Sequence, residues 1–310
     1  MCQQNKSEQA KPKGLMLGRP EVSKPWEVIS VDLVGPLPKS KQGYMHIFSI
    51  QDYFSKFCLF VPLRTANSKS IVTALEEQVF LLFGVPRYII CDNGKQFVSK
   101  EFKNLLETYS VGVTHTAYYH AQANPCERQH RTLKTMLAAY VQDDQRNWSL
   151  QLQKVACAMR TSKHECSQLT PYFTNFGHEI CLNGREHATG LLDGGDSIKD
   201  KPPDFQKIYR FVQSQLSKSY KKSQQHYNLR HRDVKFTVGQ KVLHKNYTQS
   251  DAGKYYTAKL AAKYVGPCIV RKVLSPWTYE LADLQDKFCG IWHIKDLKEY
   301  FDVDGSDTDH

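Results

Sequence analysis

Two aspartates occupy places where the sequence predicts buried β-strands. Asp32 lies inside the β-rich run 26–34, and Asp92 directly follows the apolar run 88–91 and precedes Asn93-Gly94. A carboxylate in a buried strand is costly unless a cation or several hydrogen-bond donors compensate it. The ends of strands are also where α/β sheets carry functional groups. The pattern favours an α/β fold whose sheet collects acidic groups at one place.

A third acid, Glu127, begins a helical pattern with two distinct sides. The apolar side is formed by Leu133, Met136, Leu137 and Tyr140, and the opposite side by Glu127, Arg131 and Lys134. At about 100° per residue these sets lie on opposite faces, so one face packs while the other carries an acid with two cations. Taken singly, each acid has an ordinary alternative: a turn-forming aspartate, a dipole-complementing glutamate, or a solvated face with one weak ion pair.

The order of predicted elements in the first half is that of a mixed sheet with flanking helices. Strands are predicted at 26–34, 44–51, 56–63, 87–91 and 112–117, and helices at about 68–83, 99–109, 127–140 and 149–163. The end of the first helix is marked by Gly84 with Pro86 beyond it. In this helix Val72, Leu75, Val79 and Leu82 are predicted to form one apolar stripe that stops at Gly84.

The last third of the chain has a different character. Short strand-like runs at 241–246, 264–274, 278–282 and 288–294 predict a small β-barrel. Residues 201–300 hold 19 lysines and arginines against 8 aspartates and glutamates, in a chain of net charge +11. A basic surface of this kind favours a nucleic-acid partner, although basicity alone also serves solubility.

Between the two regions the sequence predicts a basic amphipathic helix. Its apolar positions are Phe205, Ile208, Val212, Leu216 and Tyr220. Packing on its own domain and a DNA-tracking or subunit-bridging role are both open for this helix. The preceding stretch 190–200 is rich in Gly and Asp and is predicted to be a linker.

The composition of the chain indicates the cellular compartment in which the protein is expected. The nine cysteines are scattered without a C-x-x-C pair, which argues against a disulfide framework and favours a reducing environment. The first residues lack the apolar core of a signal peptide, and no apolar run approaches the roughly 20 residues that a membrane span needs. A soluble protein without a membrane partner, cytosolic or nuclear and not secreted, is expected.

Several stretches together resemble the integrases of retroviruses and long-terminal-repeat retrotransposons, most closely the Gypsy type. The matching stretches are VDLVGPLP, YFSKF, CDNGKQFVSKEFKNLL, YYHAQANPCERQHRTLKTML, TPYFTNFGHEI and VGPCIVRKVLSP. The resemblance implies a ribonuclease-H-like five-stranded core at 23–182, a linker and basic helix at 183–236, and an SH3-like DNA-binding barrel at 237–300. Residues 301–310 would be an acidic tail. In the barrel motif Cys268 stands where the family has Tyr or Phe.

The resemblance also implies the site. Asp32, Asp92 and Glu127 match the acidic triad that holds two Mg²⁺ or Mn²⁺ ions in these enzymes, with 34 residues between the last two instead of the usual 35. The implied DNA contacts are Arg131 and Lys134 on the helix, Tyr119, His120, Gln122 and Asn124 in the loop before it, and Lys241, Lys245, Lys259, Lys263, Arg271 and Lys272 in the barrel. His120 could equally be only a turn residue.

The zinc-binding domain that usually opens such integrases is represented only by residues 1–22. Cys2 resembles its last ligand, but the other three are missing, so no bound zinc is expected. Double-stranded DNA, at the element's ends and in the target, is the implied partner, with a homo-oligomer by analogy and a nuclear location after cytoplasmic synthesis.

Three functions are therefore weighed. The leading one is a metal-dependent polynucleotidyl transferase that trims 3′ ends and joins them to target DNA. The chief alternative is a domesticated or truncated, non-catalytic DNA- or chromatin-binding protein derived from an integrase. A stand-alone ribonuclease H shares the fold and metals but leaves the basic barrel unexplained.

Overall fold

The computed structural model describes residues 2–6, 8–16, 21–115, 125–141, 144–184, 203–248, 250 and 257–302, with the helical backbone alone at residues 2 and 125–128. These residues divide into two compact units. The larger holds residues 21–115, 125–141, 144–184 and 203–221, and the smaller holds residues 2–16 and those from 222 onward. Among the described helices, none combines the length and hydropathy that crossing a membrane requires.

The larger unit is built on a mixed five-stranded sheet. Its strands are β1 (Val28–Val34), β2 (His46–Asp52), β3 (Cys58–Leu63), β4 (Tyr88–Cys91) and β5 (Gly112–His115), in the spatial order β3-β2-β1-β4-β5. The first three strands form an antiparallel meander, whereas β4 runs parallel to both β1 and β5. Parallel neighbours need crossover connections, which the helices provide.

Helices cover both faces of this sheet. In chain order the helices of the protein are α1 (Cys2–Asn5), α2 (Ser68–Leu75), α3 (Leu81–Phe83), α4 (Lys100–Thr108), α5 (Pro125–Val141), α6 (Trp148–Thr161), α7 (Pro171–Phe176) and α8 (Phe205–Asn228). One core joins Val31 and Ile50 to apolar residues of α2 and α4. A second core joins Val34 and Ile47 to apolar residues of α5 and α6.

A π-helical segment, Glu76–Phe80, joins α2 to α3 and corrects one prediction. The regular stripe expected through Leu82 is wrong at its end, because Leu82 is 65% exposed while Val79 and Phe80 are buried. A π turn adds a residue to the helical repeat, so the positions after it rotate away from the core. The prediction assumed one constant helical repeat from Val72 to Leu82, so it could not include this change of register.

Helix α8 packs on the larger unit along its first half. Val212 and Leu216 are buried against Val22, Phe54 and Ile90 of that unit. Gln213 Nε2 also donates a hydrogen bond of 3.1 Å to the Val22 carbonyl oxygen. Of the two roles left open for this helix, packing on its own domain is therefore present in the structure.

The smaller unit is an all-antiparallel five-stranded sheet. Its strands are β6 (Lys241–Lys245), β7 (Tyr264–Ser275), β8 (Thr278–Ala282), β9 (Phe288–His293) and β10 (Leu297–Glu299), in the order β10-β6-β7-β8-β9. Its core contains Phe236, Trp277 and Tyr279, with Cys268 buried among them. The predicted fold class, a ribonuclease-H-like core followed by an SH3-like barrel, is confirmed; the three-residue strand β10 was too short for its pattern to predict.

The N-terminal segment packs on this smaller unit. Gly14 N–H donates to the Arg232 carbonyl oxygen at 3.0 Å, and Arg232 N–H donates to the Pro12 carbonyl oxygen at 2.9 Å. The buried Lys13 ammonium donates to Glu8 at 2.7 Å and to the Leu297 carbonyl oxygen at 2.8 Å. Residues assigned by sequence to a domain remnant and linker thus contribute to the barrel's surface.

The buried carboxylate of Asp52 organises the turn after β2. It accepts hydrogen bonds from the backbone N–H of Trp26 at 2.9 Å and of Ser55 at 2.7 Å, and from the Ser55 hydroxyl. We expect Asp52→Ala to lower the free energy of unfolding by about 3 kcal/mol, because it leaves buried donors without an acceptor. Urea denaturation measures this loss. The control is Glu107→Ala, which removes an exposed carboxylate on α4 of the same unit, and equal effects of the two changes would contradict the assignment.

Candidate metal centre and nucleic-acid surface

The pairing of β1 with β4 brings Asp32 and Asp92 side by side. In this parallel pair Val28 lies opposite Tyr88, Ile29 opposite Ile89, and Ser30 opposite Ile90. Two residues further along in the same direction are Asp32 and Asp92. Neighbouring strands lie about 4.8 Å apart, so the two aspartates begin from adjacent backbone positions.

Both aspartates belong to the same face of the sheet. Side chains alternate along a strand, and Val34 of β1 packs on the face covered by α5 and α6, which places Asp32 on that face as well. In β4, Ile90 packs with Val28 on this same face, so the alternation assigns Asp92 to it too. Two residues that are distant in sequence therefore direct carboxylates toward one region.

Each carboxylate is held locally by backbone donors. Asp32 Oδ1 accepts from the Leu33 N–H at 2.7 Å, and its side chain is 21% exposed. Asp92 Oδ1 accepts from the Gly94 N–H at 2.9 Å, which is the Asx-turn that Asn93-Gly94 predicts. These contacts leave carboxylate oxygens partly open to solvent rather than buried in an apolar core.

The start of α5 meets the sheet at Asp32. His130 Nδ1 lies 3.7 Å from Asp32 Oδ2, and the neighbouring Gln129 Oε1 accepts a long hydrogen bond of 3.5 Å from the Ser49 hydroxyl. Glu127 lies in the backbone of this helix three residues before His130. Among the side chains that the structure describes, no three acidic, histidine or cysteine groups form a complete metal-binding set. Glu127, the predicted third ligand, is not among those side chains, so the triad stays a prediction.

Burial shifts the pKa of two groups beside the aspartates. The pKa of His130 falls from 6.5 to about 4, because burial disfavours the charged imidazole and Lys134 adds a like charge. The pKa of the Cys91 thiol rises to about 12, first through burial and then through the negative charges of Asp92 and Asp32. A neutral imidazole and a protonated thiol thus stand beside the carboxylates at neutral pH.

Four polar residues near the aspartates were not predicted from sequence: Ser49, His115, Gln129 and His130. His115 Nδ1 lies 3.2 Å from the Asp92 carbonyl oxygen and 3.4 Å from Cys91 Sγ. His130 carried a usable signal, since residues three apart on a helix are neighbours and it follows Glu127 by three. Ser49 and His115 carried none, because only strand pairing brings them to the aspartates.

The helical residues predicted to contact DNA lie on one side of α5. Arg131 and Lys134 are both exposed, whereas Leu133 and Leu137 are buried, as the two-sided pattern predicts. Tyr140 is a correction: it was placed on the packing side but is 49% exposed, and in the last turn of the helix the next residue, Val141, packs on that core instead. The loop residues Tyr119, His120, Gln122 and Asn124 lie outside the described residues.

The six basic barrel residues separate into different environments. Lys245, Lys259 and Lys263 line one cleft of about 380 Å³, together with Tyr264 and Asn246. Two others are engaged by acids: Lys241 with Asp302 at 2.8 Å, and Arg271 with Glu280 at 3.6 Å and with Asp286 at 3.7 Å. The sixth, Lys272, is exposed on β7. The sequence prediction could not distinguish these environments.

Comparison with known proteins agrees with this architecture. Residues 22–121 match the model described as the integrase core domain, and residues 236–301 match a domain of unknown function. The transposon Tf2-3 and Tf2-4 polyproteins of Schizosaccharomyces pombe are each 26% identical over 306 residues, which covers 96% of this chain. The chain spans only 22% of the length of these curated relatives.

A similar fold is also present among solved structures. A chain in the cryo-EM structure of the simian T-cell lymphotropic virus intasome, in complex with PP2A regulatory subunit B56 gamma, matches with a TM-score of 0.59 and 16% identity. The match covers 97% of this chain and 86% of that one, and at such identity it shows the fold alone.

The fold and the paired aspartates define the class as a ribonuclease-H-like integrase core with an appended β-barrel. More particularly, residues 22–121 match the integrase core domain, and 306 residues are similar to retrotransposon polyproteins. The resemblance to Gypsy-type long-terminal-repeat integrases is thereby confirmed.

The depressed pKa of His130 predicts how stability depends on pH. As pH falls from 6.5 toward about 4, the unfolded chain binds a proton at this residue before the folded chain does. The free energy of unfolding should therefore decrease across that interval. Urea unfolding over a pH series should show a shallower decrease in His130→Gln. An imidazole that titrates near 6.5 in NMR spectra of the folded protein would contradict this.

Proposed function

We propose that this chain is a metal-dependent polynucleotidyl transferase that trims the 3′ ends of element DNA and joins them to target DNA. The observation that carries the proposal is the β1–β4 register, which aligns Asp32 with Asp92 on the face of the sheet that α5 covers. Helix α5 lies beside Asp32 at His130 and carries Glu127 three residues earlier in the same helix.

The residues fit divalent metal by their chemistry. Carboxylate oxygens are the ligands that Mg²⁺ and Mn²⁺ prefer, and two adjacent carboxylates repel each other unless a cation lies between them. Asp32 and Asp92 would hold one ion, and Asp32 and Glu127 a second. Ions bound in this way stabilise the negative charge that develops on the attacking and leaving oxygens of a phosphodiester.

The other residues have roles that follow from their positions. Arg131 and Lys134, exposed on the helix that carries Glu127, would bind phosphates of the element's end and orient the scissile bond. A scissile phosphate oriented in this way can be attacked in line by a nucleophilic oxygen. That oxygen would come from water when the 3′ end is trimmed, and from the freed 3′ hydroxyl when the end is joined to target DNA. Neutral His130 adds no cation that would compete for Asp32.

The barrel supplies a second, less specific contact with DNA. Lys245, Lys259 and Lys263 converge on one cleft, which suits the closely spaced phosphates of duplex DNA. Joining one element to a target requires two DNA ends, so we propose a homo-oligomer that acts in the nucleus, where target DNA is found. A non-catalytic DNA-binding protein is the alternative, and the next experiment separates the two.

Asp92→Asn is the sharpest test of the chemistry. We expect it to reduce strand transfer of oligonucleotide ends in Mg²⁺ by at least about 10³-fold, because an amide replaces a negatively charged ligand. Folding and bulk DNA affinity should remain close to those of the parent protein. A variant with full activity would remove Asp92 from the chemistry, and a parent protein that binds DNA without joining it would support the non-catalytic alternative.

The barrel cleft predicts a salt-dependent difference between matched double variants. Lys245→Gln with Lys259→Gln should weaken duplex binding and reduce the steepness of log affinity against log salt by about 1.8, or about 0.9 for each phosphate that the protein no longer neutralises. Lys241→Gln with Arg271→Gln removes the same charge from residues that already face acids, and should change both quantities less. Fluorescence anisotropy at several salt concentrations measures them. Equal effects of the two pairs would contradict a role for the cleft.

A further inference from the structure

Two polar side chains lie in an interface that is otherwise apolar. Gln129 and His130, near the start of α5, are only 6% and 8% exposed where the helix packs on the sheet. Further along the same helix the buried contacts are made by Leu133 and Leu137. Burying an amide and an imidazole costs free energy unless they gain compensating partners.

These two consecutive residues meet one cross-strand pair. Asp32 of β1 lies directly opposite Ser49 of β2 in the antiparallel register. Gln129 Oε1 is 3.5 Å from the Ser49 hydroxyl oxygen, and His130 Nδ1 is 3.7 Å from Asp32 Oδ2. The second turn of the helix therefore lies against the sheet through polar atoms at the strand position that carries the candidate metal ligand.

This arrangement is not the one that maximises stability. His130 Nε2 is buried and has no hydrogen-bond partner among the described atoms, and the Gln129 amide has only the buried Cys58 thiol, a weak acceptor, beside it. A partly satisfied polar contact is less stabilising than an apolar one of the same shape. Leucine at these positions would bury similar volume without an unpartnered imidazole nitrogen or a weakly bonded amide, so stability alone does not account for the pair.

We propose that Gln129 and His130 are positioning residues that fix the second turn of α5 on Asp32 and Ser49, and with it the backbone position of Glu127, in the preceding turn, relative to Asp32. The inference rests on the proposed function, since it concerns the geometry of the acidic triad. Glu127 precedes Gln129 by two residues in the same helix, so the placement of one sets the backbone position of the other.

A metal site tolerates only small displacements of its ligands, so contacts that fix the position of α5 on the sheet would help to form it. A helix that slides by one residue moves about 1.5 Å along its axis and rotates by about 100°. Metal–ligand distances must hold to within about 0.2 Å. The apolar contacts of Leu133 and Leu137 are non-directional and permit small slides, whereas contacts to Ser49 and Asp32 select one register.

The test compares leucine variants at the two positions with a matched change elsewhere. Gln129→Leu and His130→Leu are expected to leave the melting temperature unchanged or higher, while Mn²⁺ affinity measured by calorimetry falls about 10- to 100-fold. The control is Gln153→Leu, which removes a helix amide that donates to the Phe60 carbonyl oxygen on β3, away from the aspartates. It should leave Mn²⁺ affinity unchanged.

Kinetics and a conservative variant separate positioning from a merely structural role. The leucine variants should lower kcat for strand transfer while the KM for DNA stays constant, and His130→Gln, which keeps a polar contact, should recover part of the Mn²⁺ affinity. Parallel losses of stability and metal affinity, failure of the variants to fold, or Mn²⁺ affinity equal to that of the parent would each overturn the inference.

Asp92→Asn distinguishes this inference from the proposed function. If that variant loses Mn²⁺ binding while the leucine variants keep it, only the positioning role is wrong. If Asp92→Asn binds Mn²⁺ as the parent does, the metal site itself is wrong and the positioning role falls with it.

Discussion

The repulsion between two adjacent carboxylates is the constraint on which the rest of the site depends. The parallel register of β1 and β4 places Asp32 and Asp92 next to each other. Two like charges at adjacent positions do not stabilise a sheet, so a purely structural role does not explain them. Such a pair is stable only with a cation, a shared proton or ample solvent. The partly exposed Asp32 and the backbone donors that orient both side chains suit a cation that enters from solution.

The neighbouring strands, the turn after β2 and helix α5 hold the two aspartates in place. The antiparallel meander fixes β1 in the middle of the sheet, and Asp52 ties the turn after β2 to Trp26 just before β1. Helix α5 then closes over the aspartates, with basic residues on its exposed side and apolar residues against the sheet. The acidic centre is therefore held by contacts that span most of the larger unit, whereas the barrel contributes its own basic cleft.

Much of this architecture could be predicted from sequence because its signals are local. Strand runs, the Asn93-Gly94 turn and the two-sided pattern of α5 each depend on a few neighbouring residues. What could not be predicted depends on contacts between distant residues. The pairing of Asp32 with Ser49, the approach of His115 to Asp92 and the neutralisation of Lys241 by Asp302 arise only after the strands have paired. The π turn between α2 and α3 could not be predicted for a related reason, because tertiary packing and not local propensity sets its register.

The most direct test of the central claim is a crystal structure of the full chain soaked in Mn²⁺, with the ion located by its anomalous scattering. The account predicts an anomalous peak within about 2.2 Å of carboxylate oxygens from Asp32 and Asp92, with Glu127 completing the set at the same or an adjoining ion. Ordered density for all three side chains at saturating Mn²⁺, with no anomalous peak between them, would contradict it.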